Sequence, residues 1–419
     1  MAEKNTSRKI EVFAHWQGMP AAQLMGYLYA VNPRGKEVFS FEYSEAWLKN
    51  GNTQALDPDL ILFPGKQYLP DDKPNFGLFL DSSPDRWGRN MMKKREAILA
   101  RKEGRKPALL TELDYLLGVG DFYRRGALQF KIETDGTFVK DTNEPCLTTE
   151  QLPELENACM KLEQDEINTD DERLKWLNRL MLAGASLGGS RPKAGVRDEQ
   201  GSLWIAKFPT TTDLIDVAAW QIVTQELAFY SGINIPPAKL RTLNGKHRTF
   251  LTKRFDRAAD GVRIHFASAM TLLGNSDKTD EPLSYLDLAG FIIRHGAKVD
   301  ASLEELWRRI VFNICIKNCD DHLRNHGFIH TRDGWLLAPA YDLNPDPLGT
   351  GLSLNISEDD NSLSLELALD MAPYFRVAPA QAQKIIDKVK TTVANWRKLA
   401  TKYKLPPAEQ DEMASAFWE

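Results

Sequence analysis

The chain has 419 residues, 42% hydrophobic and 26% charged, enough for two or three domains or one large two-lobed body with a sizeable core. A net charge of −5 argues against wholesale wrapping of nucleic acid, though it leaves room for a local basic patch. Four cysteines cannot staple so long a chain, the start MAEKNTSRKIEVF has no apolar signal core, and no apolar run approaches a membrane span, so a reducing cytoplasm is the expected setting.

From Lys9 to about Phe63 short apolar runs such as LMGYLYAV and VFSFEY, broken by polar turns, predict strands. The segment from Pro84 to Lys106 reads mostly as a helix, with nine basic residues against Glu96 and Glu103. That is either a surface for nucleic acid or an acidic partner, or a solvated helix face. LLTELDYLLGVG predicts a further helix and RRGALQFKI a strand. A polar, acidic segment from about Asp141 to Arg173 follows, with a helix around Glu154 to Leu162. The helix Leu174 to Leu182 then runs into the Gly-rich GASLGGSRPKAG. KAGV and SLWIAKF predict a hairpin around RDEQG. Asp216 to Tyr230 is helical, stopped by Ser231-Gly232, and RTFLTKRF is a strand ending near Asp256. From Tyr285 onward nearly everything except a hairpin after Asn325 reads as helix. The expected fold class is α+β, in three segments: 1–140 strand-rich with the basic helix, 141–256 mixed, and 257–419 helical.

The richest chemistry lies in NICIKNCDDHLRNHGFIHTRDGWLLAPAYDLNP, from Asn313 to Pro345. Ser302 and Glu305 have capping-box spacing, so a helix is expected to start there. Leu303, Leu306, Trp307, Ile310, Val311, Ile314 and Cys315 make one buried stripe, with Arg308, Arg309 and Lys317 away from it. That helix should end near Asn318 and leave Asp320 to Asn325 on a loop. GFIH, Asp333-Gly334 and WLLAPA form a hairpin, and Asp342 emerges just after it. An Asp, an Asn five positions later and a second Asp after a β segment is a phosphoryl-transfer arrangement, with a base and two hard oxygen ligands for magnesium. Turn-forming Asp and Asn give the same pattern for local hydrogen bonding. Cys315, Cys319 and His322 raise zinc as a rival, but no fourth ligand suggests itself. His322 reads as a hydrogen-bonded loop residue rather than a base.

Phosphate handling also needs a backbone cradle and a cation. SLGGSRPK, from Ser186 to Lys193, offers glycines, hydroxyls and basic side chains, although a Gly-rich turn can be only a turn. In LWIAKF, alternation puts Lys207 on the face of Leu203 and Ile205, where it either meets an anion or reaches water from an edge.

SLGGSRPKA, IAKFP, TKRFDR, NCDDHLRNHGF and APAYDLNP, in this order, resemble the HipA family of serine/threonine kinases, the toxins of toxin–antitoxin systems. PDRWGR and GALQF extend the likeness over essentially the full chain. The resemblance implies a two-lobed, kinase-like fold using ATP and Mg²⁺. Asp320 would be the catalytic base, and Asn325 and Asp342 the magnesium ligands. Lys207 would meet the ATP phosphates under a loop formed by Gly188, Gly189, Ser190, Arg191 and Lys193. Lys253 and Phe255 would line the adenine pocket, with His322 and Tyr341 also at the nucleotide. Ser186 matches the serine that the family autophosphorylates. The implied partners are a HipB-like helix-turn-helix antitoxin, operator DNA held through that complex, and a protein substrate such as an aminoacyl-tRNA synthetase. A rival reading is a nucleotide-binding regulatory subunit acting mainly as corepressor with such an antitoxin, the basic helix facing DNA or the partner. Two positions depart from the family pattern. Asp321 follows Asp320 where a glycine can occur, and would be a spare or outer magnesium ligand or simply solvated. Gln221 stands where a glutamate partner for Lys207 is expected, with Glu226 the nearest glutamate.

Overall fold

The computed structural model describes the chain apart from residues 1–6, 34–35, 51–53, 70–72, 133–135, 140–145, 185–187, 277–281 and 419. Helices and antiparallel strands are mixed along it, the α+β class expected. Two compact units form: residues 1–211 with 256–267 and 274–278, and residues 212–255 with 268–273 and 279–419. The segment 141–256 is therefore shared between them. Among the described residues no helix is long and apolar enough to cross a membrane.

In the first unit five antiparallel strands run in the order Lys66–Tyr68, Val38–Tyr43, Gln23–Val31, Arg8–Ala14, Leu128–Ile132. Period-2 alternation builds this sheet: Ile10, Val12 and Ala14 are buried, while Lys9, Glu11 and Phe13 lie on the other face. The basic helix spans Arg86–Lys102 and starts at Asp85, whose carboxylate accepts the Gly88 N–H at 2.9 Å. Three of its seven cations pair with carboxylates of the same unit, and a fourth meets a neutral amide. Arg101 is bidentate to Asp170, Lys102 pairs with Asp171, Arg89 grips Glu112 and Arg95 donates to Asn178. Acidic residues opening the helix Asp170–Gly184 supply two of those partners, which favours the paired, solvated face over a nucleic-acid stripe. At the other end of that helix a Cβ on Gly184 would lie 2.1 Å from the Lys193 carbonyl, so only glycine lets helix and strand meet there. The predicted hairpin follows as Lys193–Arg197 paired with Leu203–Lys207. The chain returns to this unit at Asp256, whose carboxylate accepts the Gly126 N–H, while Arg257 donates to the carbonyls of Gly126 and Arg124. Two of the sequence motifs, GALQF and TKRFDR, thus meet around the buried Asp256–Arg257 ion pair.

The second unit is mainly helical. Asp216 caps the helix Val217–Tyr230, and the hairpin Ala238–Arg241 with Thr249–Lys253 follows. Trp220, Trp396 and Phe417 form an aromatic core cluster with centroids 4.7 to 5.9 Å apart. The helix expected from Ser302 spans Val299–Ile316, and its predicted stripe is buried throughout. Two details differ. Ser302 sits inside the first turn, its N–H bonded to the Lys298 carbonyl, so the capping-box spacing is not used as a cap. Arg309 is buried rather than turned outward, because it satisfies the Ala338 carbonyl at 2.8 Å and pairs with Glu305. The hairpin Gly327–Thr331 with Gly334–Leu337 is as predicted. Helix does not resume until Leu365: Pro339, Pro345 and Pro347 interrupt the stretch read as helical.

Candidate active site

Helix Val299–Ile316 ends sharply because Lys317 adopts a left-handed conformation (φ 46°), and the Asn318 N–H bonds back to the Asn313 carbonyl at 2.9 Å. The chain then turns into the loop carrying Asp320. The Asp320 carbonyl accepts the His322 N–H at 3.0 Å and the Asn325 Nδ2 at 2.8 Å. Its carboxylate is left exposed, and no described residue donates to it. Asn325 spends its amide nitrogen on the loop, so its Oδ1 is the end available as a hard ligand. Buried Nδ1 of His322 has no partner among the described residues.

Asp321 is enclosed rather than solvated. It is 2% exposed, and its Oδ2 accepts from Tyr285 Oη at 2.5 Å, Asn313 Nδ2 at 2.8 Å and His326 Nε2 at 2.8 Å. Burial pushes this carboxyl up, but the charge and hydrogen bond of His326, the Tyr285 hydroxyl and Arg309 outweigh it and hold it below the usual range. The Tyr285 hydroxyl is correspondingly pushed well up by burial and by the Asp321 charge.

Asp342 emerges beyond the hairpin with φ 60°, a left-handed conformation that Asp tolerates better than most residues. Its segment is tied down on both sides. Tyr341 Oη donates to the Arg324 carbonyl at 2.8 Å, Asn344 N–H to Asn318 Oδ1 at 3.3 Å, and Thr224 Oγ1 to the Leu343 carbonyl at 2.7 Å. The structure therefore brings the segments of Asp320, Asn325 and Asp342 together through direct bonds. Phe255 and Tyr341 form a ring pair 5.8 Å apart at 30°, and half-buried Lys253 lies two residues before Phe255. Cys315 belongs to the packed stripe, and burial raises its thiol to about 12, which opposes the thiolate that zinc requires.

The remaining residues lie in the first unit. Ser186 falls outside the described residues. Gly188 and Gly189 both take left-handed backbone, φ 85° and 81°, which no other residue type adopts so readily. Ser190 is exposed and Arg191 half-buried. A Cβ on Gly188 would lie 3.4 Å from Arg125 Nη2, and one on Gly189 3.5 Å from Lys193 Nζ, so two cations flank the turn. Lys193 is 2% exposed, with its ammonium 3.4 Å from Asp85. Burial raises the Asp85 carboxyl despite the opposing charges of Lys193 and Arg125. Lys207 faces Lys193 across the hairpin register and is half-buried. Neither Arg125 nor Asp85 stood out in the sequence. The signal for Asp85 was its place in PDRWGR, just ahead of a helix. In the second unit, Glu226 is engaged by Lys402 at 2.7 Å and by Tyr403, while Gln221 is buried.

The family model of the HipA-like C-terminal domain matches residues 185–396, about half of the chain and the span that holds every residue proposed from the motifs. The chain belongs to the HipA family. A "Putative kinase Y4mE" of Sinorhizobium fredii is 27% identical over 336 residues, covering 72% of this chain and 71% of that protein. A "Putative kinase" of Haemophilus influenzae is 28% identical over 179 residues, covering 38% of this chain and 52% of the relative. Among solved structures, HipA of Shewanella oneidensis, in a complex with HipB and operator DNA, superposes with a TM-score of 0.64 at 16% identity, covering 97% of this chain and 94% of its own. That likeness shows a HipA fold.

Proposed function

We propose that the protein is an ATP- and Mg²⁺-dependent protein serine/threonine kinase that moves the γ-phosphate of ATP onto a protein hydroxyl. The observation that carries this reading is the Asp320 loop: an exposed carboxylate on a backbone fixed by Asn325, bonded to the segment that presents Asp342. Asp320 takes the proton as the substrate O–H bond breaks and a new O–P bond forms, and ADP leaves. The amide oxygen of Asn325 and the carboxylate of Asp342 are a hard-oxygen donor set that fits magnesium, which would offset charge on the phosphates. By the family resemblance, Lys207 and the left-handed turn Gly188–Gly189, with Ser190, Arg191 and Lys193, are the proposed phosphate contacts of the first unit. Phe255, Tyr341 and Lys253 line the base, with His322 assigned beside the nucleotide by the family resemblance. With Glu226 held by Lys402, Lys207 works without that glutamate.

Ser186 is the proposed autophosphorylation site. A phosphate there, close to −2 in charge, would repel the ATP phosphates and shut the enzyme off. The Shewanella complex supports a HipB-like helix-turn-helix antitoxin and operator DNA as partners and accommodates a corepressor role beside the kinase one; the cytoplasm is the proposed setting. An aminoacyl-tRNA synthetase is the proposed substrate class by resemblance alone.

General-base catalysis is typically worth about 10²–10⁴ in rate. Asp320→Ala should therefore lose transfer from radiolabelled ATP onto cell-extract protein by about that factor while still binding ATP in calorimetry. Equal labelling by variant and parent would refute the assignment. Phosphopeptide mapping of the parent after the same incubation should place label on Ser186, and an unmodified loop would remove that site.

A further inference from the structure

The catalytic loop and the Asp342 segment are joined by a second connection, buried beneath them. It begins at Asp321, whose Oδ2 gathers donors from three places: Tyr285 in the helix Tyr285–His295, Asn313 in the helix Val299–Ile316, and His326 just before the hairpin. It continues through the amides. Asn313 Oδ1 accepts from Asn318 Nδ2 at 3.1 Å, and Asn318 Oδ1 accepts the Asn344 N–H at 3.3 Å. Asp321, Asn313 and Asn318 are 2%, 1% and 0% exposed, so water offers them no substitute partners.

This chain of bonds has one polarity. An ionised carboxylate can only accept, which turns the Asn313 nitrogen toward it and leaves the Asn313 oxygen for Asn318. Asn318 then has only its own oxygen to offer Asn344. Each amide is thereby fixed by the one before it, back to Asp321. A buried polar group left unpaired is costly, so no member can turn over without disturbing the next. Simply closing a loop would not require such an arrangement, because apolar packing achieves that with less desolvation.

We propose that Asp321, acting through Asn313 and Asn318, is a positioning residue for phosphoryl transfer, which locks the Asp320 loop and the Asp342 segment to one common reference on the helix Val299–Ile316. Base and metal ligand then keep their mutual placement through turnover. The proposal rests on the kinase reading above, in which Asp320 and Asp342 act together.

The test compares the full-length parent with Asp321→Asn, Asn318→Ala and Asp320→Ala. A displacement of about 1 Å in a reacting group can cost about 10²-fold in rate. Asp321→Asn and Asn318→Ala should each lower the transfer rate at saturating ATP by about 10- to 100-fold. The ATP concentration for half-maximal rate should stay within about twofold, while the magnesium requirement rises. A residue that only stabilised the fold would lower the melting temperature without this split. Hydrogen exchange supplies a readout independent of activity: the Asn344 amide should exchange at least about tenfold faster in Asp321→Asn, three links along the chain. Should Asp321→Asn fail to fold, Asn318→Ala decides on both readouts. A folded variant with the parent's rate and the parent's exchange at Asn344 overturns the proposal. If the parent shows no transfer dependent on Asp320, the kinase reading falls instead, and unchanged exchange at Asn344 would separately dispose of the relay.

Discussion

A lysine ammonium removed from water needs a counter-charge, and Lys193 finds one in Asp85, a residue that also caps the helix Arg86–Lys102. The pair ties the Gly-rich turn to the helix that precedes it in space. Breaking a buried pair by removing one partner costs about 3–5 kcal/mol, more than replacing both, because the survivor is left uncompensated. Asp85→Asn should therefore lower the urea midpoint by an equivalent amount, and adding Lys193→Met should recover most of it. An additive double variant would show that the two groups are not coupled. Asp321 teaches the same lesson. From sequence a second Asp beside a catalytic one looks like a spare ligand, and nothing local distinguishes a solvated carboxylate from one enclosed by Tyr285, Asn313 and His326.

Among the elements, the basic helix is where composition alone leaves the most open. Nine cations within a short segment suggest an anionic partner. Yet Arg89, Arg101, Lys102 and Arg105 each hold a carboxylate of the same unit, and Arg95 holds Asn178. Neutralising Lys93, Lys94 and Arg95 together should leave operator binding by any antitoxin complex, and its salt dependence, close to the parent's. A shallower salt slope by about one per residue would put the helix back on DNA. The helix Val299–Ile316 was legible in its stripe but not at its start, where a capping-box spacing fell inside the first turn. Two letters three apart describe a cap only if the backbone before them is extended.

Over the whole molecule, the first unit is not continuous in sequence. It closes only when residues 256–267 return to it, bringing Asp256 and Arg257 to the backbone of Gly126 and Arg124, and Arg263 to Asp121. A fragment ending at Thr211 would leave these buried carbonyls and the Gly126 N–H without their partners. It should expose apolar surface to a fluorescent dye and lose its cooperative melt, whereas the full chain keeps its apolar surface covered and melts cooperatively; a cooperatively melting fragment would refute this closure. The sequence by itself determined the fold class, the family and the order of the motifs, because periodicity, turn residues and short chemical spacings are local properties of a chain. Tertiary structure alone decided which charges are spent on one another, that Asp321 is enclosed, and that Arg125 and Lys193 flank the Gly-rich turn. Those outcomes depend on burial, and burial depends on residues far away along the chain.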